Sequence, residues 1–85
     1  MKEKRERYES LVEQEDKRLQ QVQTSEALTM VILDYTYERA MDLDLLTAEE
    51  LLGRVHRYTE ELRLSLLHLR LEKAYVAGRL KAESR

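Results

Sequence analysis

Histidines, closely spaced carboxylates and a run of bases are the residues of this chain with chemistry to offer, and spacing decides what each can do. His56 and His68 stand twelve positions apart. On a helix that is about 18 Å along the axis, too far to share a metal ion. His56 and Glu60 have the i, i+4 spacing of metal sites, but one histidine and one carboxylate on a charged helix do not make a coordination sphere. Asp42 and Asp44 open like a calcium loop, yet Leu46 occupies the place of the third oxygen ligand and no glycine follows it. Tyr35, Tyr37, Tyr58 and Tyr75 fall at helical spacings, where tyrosine usually sits at the edge of a core. The chain lacks cysteine, a glycine-rich phosphate loop, a nucleophile elbow and a carboxylate pair in apolar surroundings. Small helical dimeric enzymes such as chorismate mutases use buried bases with a glutamine near the chain end, whereas the last glutamine here is Gln23. These absences predict a protein that is not an enzyme, with no catalytic residue, cofactor or metal.

The bases raise a different prospect. Arg54, Arg57, Arg63, Arg70, Lys73, Arg79 and Lys81 give the last third of the chain a basic edge, on which Arg63, Arg70 and Lys73 are the candidate nucleic-acid contacts. Glu60, Glu61 and Glu72 interrupt that edge and the isoelectric point is about 5.7, unlike the usual basic nucleic-acid module. A nucleic-acid-associated regulator is the alternative reading, but the edge reads more simply as a solvated face paired with acids elsewhere. Those acids are concentrated. Residues 26–50 carry seven acids against Arg39, a net −6, while residues 51–85 carry eight bases against four acids, a net +4. Middle and end therefore attract, which suits an antiparallel hairpin or the association of two copies.

The elements that must carry these residues are helical. Proline is absent, glycine occurs only at Gly53 and Gly78, and leucine, glutamate and arginine dominate. A single domain spanning 1–85 is expected, all-α, with three helices: a helical hairpin with a long C-terminal helix plus an N-terminal helical arm. In residues 1–23, Tyr8, Leu11, Val12, Glu15, Leu19 and Val22 form a thin stripe on an otherwise charged helix, a surface helix or short coiled-coil arm. Thr24-Ser25-Glu26 offers an interruption with a hydroxyl N-cap, although nothing forbids a continuous helix there. Residues 25–41 place Leu28, Val31, Ile32 and Tyr35 on one face and Met30, Leu33, Tyr37 and Met41 on the other. Residues 42–47 form the connection. Thr47 with Glu50 fits a capping box, and Leu46 with Leu51 a hydrophobic staple, starting a helix over 48–81. That helix has one stripe of Leu51, Val55, Tyr58, Leu62, Leu66, Leu69, Val76 and Leu80. A second stripe, roughly opposite, is Leu64, Leu67, Leu71, Ala74 and Gly78.

Helices apolar on two sides must be covered on two sides. The expected interface is Met30, Leu33 and Tyr37 together with Leu64, Leu67, Leu71, Ala74 and Gly78, which predicts an oligomeric helical bundle, a homodimer first. Another protein seated in a helix groove is the other partner the faces would suit; nucleic acid and membrane are not expected. No run approaches the ~18 to 20 apolar residues of a membrane span, and the first residues are charged, so a cytoplasmic protein is expected. The tail Tyr75-Val76-Ala77-Gly78-Arg79-Leu80-Lys81 resembles the end of the small helical co-chaperones of type III secretion systems. Those proteins are shorter hairpins that guard a partner's apolar surface, and the resemblance, over seven of 85 residues, implies a chaperone-like role. The expected function is a protein–protein interaction module: an adaptor, regulator or small chaperone.

Overall fold

The computed structural model describes residues 2–84. Among them the chain forms two helices, α1 (Lys2–Glu38) and α2 (Leu45–Glu83), folded back on one another into a rod of 66 × 15 × 15 Å. The radius of gyration is 19.1 Å. A globular chain of this length would have about 12 Å. The all-helical expectation holds, but there are two helices and not three.

The expected break at Thr24-Ser25-Glu26 is absent, and neither of its hydroxyls serves as a cap: Ser25 Oγ meets Thr59 of the facing helix, and Thr24 bonds within its own helix. Thr24 Oγ1 donates to the Gln20 carbonyl (2.9 Å) and Thr29 Oγ1 to the Ser25 carbonyl (3.0 Å). Such back-bonding to residue i−4 removes the hydroxyl from the capping role, and neither glycine nor proline stops the helix. Lys2 to Glu6, where fraying would be expected, are helical; Met1 lies outside the described residues.

The boundary of the second helix moves as well. It begins at Leu45, with Asp44 at the N-cap in extended geometry, so Thr47 lies inside the first turn. Thr47 Oγ1 donates to Asp44 Oδ2 (2.6 Å) and caps nothing itself. The Asp44 carboxylate makes no cap hydrogen bond to the backbone, but it sets a negative charge at the positive end of the helix, which favours the earlier start. With the cap displaced, the staple goes too: Leu46 and Leu51 both stand exposed. The connection is Arg39–Asp44, held by turn hydrogen bonds from Arg39 N to Tyr35 O (2.9 Å) and Asp42 N to Arg39 O (3.0 Å).

The seam between the helices follows one rule. On α1 the shielded positions run Lys4, Tyr8, Leu11, Glu15, Arg18, Val22, Ser25, Thr29, Ile32 and Thr36, in alternating steps of four and three. On α2 they run Ala48, Leu52, Val55, Thr59, Leu62, Leu66, Leu69, Lys73, Val76 and Leu80, by the same steps. That 3.5-residue spacing keeps one stripe of each helix on its neighbour over the full length. Val22, Leu62 and Leu66, with Leu19 against them, form the apolar centre. Just beyond it Ser25 and Thr59 meet, both buried. Thr59 Oγ1 gives its hydrogen to the Val55 carbonyl (2.8 Å), so Ser25 Oγ is the donor between them.

Ser25→Ala should cost ~1 kcal/mol, the net worth of one buried hydrogen bond. Ser25→Ala combined with Thr59→Val should cost less than the two single changes added together, since the pair is then removed whole. Urea unfolding of the three variants checks this; strict additivity would mean the hydroxyls do not interact.

Candidate interaction surfaces

The seam sorts the side chains of the rod into two unlike halves. In the terminal half, away from the connection, the seam holds Tyr8, Leu11, Val22, Leu62, Leu66, Leu69, Val76 and Leu80, with the charged Lys4, Glu15, Arg18 and Lys73 among them. In the loop half it is built largely from small or hydroxyl residues: Ser25, Thr29, Thr36, Ala48 and Thr59, with Ile32, Leu52 and Val55 between them. Thr36 Oγ1 satisfies itself on the Ile32 carbonyl (2.8 Å), as Thr29 does on Ser25. The large apolar residues of that half point outward. Leu28, Val31 and Tyr35, expected on an inward face, are exposed beside Met30, Leu33 and Tyr37; of that predicted face only Ile32 is shielded. The register set by Val22 carries Ser25 and Thr29 inward, and so turns Leu28 and Val31 out.

These residues line two flanks. On one, Met30, Leu33, Leu52, Gly53, His56 and Arg63 surround an open groove of about 700 Å³ with Glu26 and Glu49 at its rim. On the other, Leu28, Val55 and Tyr58 line a groove of about 440 Å³, and Ile32, Tyr35, Leu43, Ala48 and Leu51 line one of about 330 Å³ nearer the connection. The second stripe of α2 lies in the terminal half and faces away from α1. Leu64 (55% exposed), Leu67 (61%) and Leu71 (69%) lead into Ala74 and Gly78, both also exposed. The N-terminal part of α1 packs on the opposite stripe and leaves these leucines uncovered. Leu51 and Tyr58, expected within the inner stripe, flank it and are exposed.

The three candidate nucleic-acid contacts do not form an open edge. Arg63 bridges Glu26 (2.7 Å) and Glu60 (2.6 Å), and Arg70 Nε donates to Glu15 Oε2 (2.9 Å). Lys73 lies in the seam itself, bonded to the other oxygen of Glu15. The partners are thus Glu15, Glu26 and Glu60, so that of the acids in residues 26–50 only Glu26 takes part. Lys4 with Glu83 and Arg7 with Glu72 add two more pairs between the helices. Hydrogen bonds from Lys73 and Arg70 hold the Glu15 carboxyl below its usual range, and the same contact with Glu15 raises Lys73. Glu26 and Glu60 raise Arg63, and Lys4 lowers Glu83. Among the described residues no group of three histidines or carboxylates is placed to hold a metal, and no helix is long and apolar enough to cross a membrane.

Comparison with protein-family models, with curated proteins and with solved structures finds no match to this chain. The surfaces themselves therefore carry the functional argument.

Two predictions follow from the ion pairs. A carboxylate whose folded pKa is depressed contributes stability above its unfolded pKa, about 4.3, and loses it as the pH falls through the folded value. The hairpin should therefore weaken on acidification below about pH 4.5, and Glu15→Gln should flatten that limb of the stability profile; thermal melts from pH 3 to 7 measure it. Because Arg63, Arg70 and Lys73 are already engaged by carboxylates, duplex DNA or RNA should show no useful affinity at physiological salt. Fluorescence anisotropy titrations check this. Sub-micromolar binding that falls steeply with added salt and is lost when the three bases are neutralised would make the chain a nucleic-acid binder.

Proposed function

We propose that this chain is a non-enzymatic interaction protein of the cytoplasm, an antiparallel coiled-coil hairpin that self-associates through its outer apolar faces. A dimer is the favoured form. Its role is that of an adaptor, regulator or small chaperone that presents or guards apolar helix surfaces.

The observation that carries this reading is the inversion of the loop half, with hydroxyls in the seam and leucine, methionine, valine and tyrosine outside. Fully burying one leucine is worth ~1.5 to 3 kcal/mol, so a hairpin that leaves this many outside has most of that stabilisation still to gain. Area points the same way. The accessible surface is 7120 Å², against about 5,300 Å² for a globular chain of this mass. The excess is about twice the ~800 Å² that each partner contributes to a standard interface. Leu64, Leu67 and Leu71, exposed together along one stripe, are apolar surface of a kind that monomers rarely leave to water.

Light scattering should return a mass of at least twice the 10.2 kDa of one chain. Leu67→Glu together with Leu71→Glu should return the mass to that of one chain, because association would bury two carboxylates per chain without partners. Both residues point away from the seam, so helicity should persist. A double variant with the native mass and melting temperature would remove this stripe from the interface.

A further inference from the structure

The stripe continues the outer α2 edge of the groove, and the two are matched in length. Gly53, Glu60, Leu67 and Ala74 are spaced by seven, so in a 3.5-residue seam they occupy one angular position on α2. Gly53 lies in the groove; Leu67 and Ala74 belong to the stripe. On α2 the groove extends from Glu49 to Arg63 and the stripe from Leu64 to Gly78, about 21 Å each. Their common boundary lies at the middle of α2 (Leu45–Glu83).

We infer that two copies pair flank to flank and antiparallel about a two-fold axis crossing α2 at Arg63–Leu64, each copy laying its Leu64–Gly78 stripe in the other's groove. This rests on the self-association proposed above and specifies its geometry. A closed two-fold contact requires a surface complementary to itself after rotation. Here the axis carries stripe onto groove and groove onto stripe, so one operation covers both.

Charge selects the antiparallel sense. Residues 26–57 hold seven acids and three bases, net −4, and the remainder holds ten acids and twelve bases, net +2. A parallel pairing sets acidic half on acidic half. The antiparallel pairing sets acidic on basic, and brings Glu49 and Glu50 within a turn of Arg79 and Lys81 of the second copy. Among the described residues none of these four takes part in an ion pair within its own chain. Beside the axis Arg63 of each copy faces Leu64 of the other, and Glu60, held by Arg63 of its own chain, lies opposite Leu67. Opposite Ala74 lies Gly53, where nothing stands within 4 Å of the place a Cβ would take, so the backbones can approach closely.

The chain has no cysteine, so introduced thiols report cleanly. Gly53→Cys and Ala74→Cys chains are prepared separately, mixed, allowed to exchange, and treated with a bis-maleimide of about 10 Å span, the distance between packed helix axes. The mixture should yield a cross-linked dimer that is absent from either variant alone, because equivalent positions lie about 30 Å apart across the axis. Glu49→Cys with Gly78→Cys is the second pair and should behave alike; Gly78 too has open space at Cβ. A native mass of two chains with cross-linking of either variant to itself, or with none in either mixture, overturns this geometry and leaves self-association standing. A native mass of one chain at every concentration overturns both.

Discussion

The structure depends on one constraint, the 3.5-residue spacing by which α1 and α2 meet along their whole length. The two helices have no third element to lean on among the described residues, so the seam alone decides which side chains are shielded. Its register is pinned by polar groups that tolerate no slip. Glu15 sits in the seam with only 14% of its side chain exposed and is answered by Lys73 and Arg70. Sliding α2 by one seam step would set that carboxylate against Leu69 or Val76 and leave Lys73 among apolar residues. A largely shielded charge without a partner is strongly destabilising, whereas the pair itself adds little net stability. The exposed bridges along the flanks, such as Arg7–Glu72, are worth at most a fraction of a kcal/mol each. Specificity of register lives in Glu15–Lys73 and Ser25–Thr59; cohesion lives in Val22, Leu62, Leu66 and their neighbours.

Because the seam continues unchanged from one half of the rod into the other, residue type and not geometry makes the halves differ. The same positions hold mostly leucine and valine around Glu15, Arg18 and Lys73 in the terminal half, and mostly serine, threonine and alanine around Ile32, Leu52 and Val55 towards the connection. The loop half is therefore the less cohesive part, and its local opening is the easier event. Covering it from outside would add what its own seam lacks.

Much of this was legible in the sequence. Helical content followed from the absence of proline, and the outward stripe of Leu64, Leu67 and Leu71 from its spacing. What was missed was missed for one reason, that hydrophobicity was followed where register was decisive. Leu28, Val31, Ile32 and Tyr35 look like an inner face when taken alone. Counting on from Leu11 and Val22 by threes and fours passes through Ser25, Thr29, Ile32 and Thr36, and only Ile32 belongs to both sets. The same count carries helix through Thr24-Ser25, where local propensity suggested a cap. Thr47 and Asp44 present the reverse case. Both are competent caps one turn apart, and the sequence alone does not weigh the carboxylate's interaction with the helix dipole against the glutamate that would complete a box at Thr47.

Charge shows what the folding of a single chain leaves unresolved. The attraction between an acidic middle and a basic end suited either an antiparallel hairpin or the meeting of two copies. The hairpin forms, but of the acidic middle only Glu26 takes part among the described residues: Glu15 and Glu26 answer the bases of α2, and Lys4 and Arg7 answer Glu83 and Glu72. The acids from Asp34 to Glu50 take no part in those bridges, and they lie at the connection, about 40 Å along the rod from Arg79 and Lys81. At physiological salt that distance is several Debye lengths, so the two ends of one hairpin do not feel each other. The imbalance that folding leaves unresolved can be relieved only by a surface brought from outside. The apolar loop half, bordered by the same acids, is where such a surface would also gain burial.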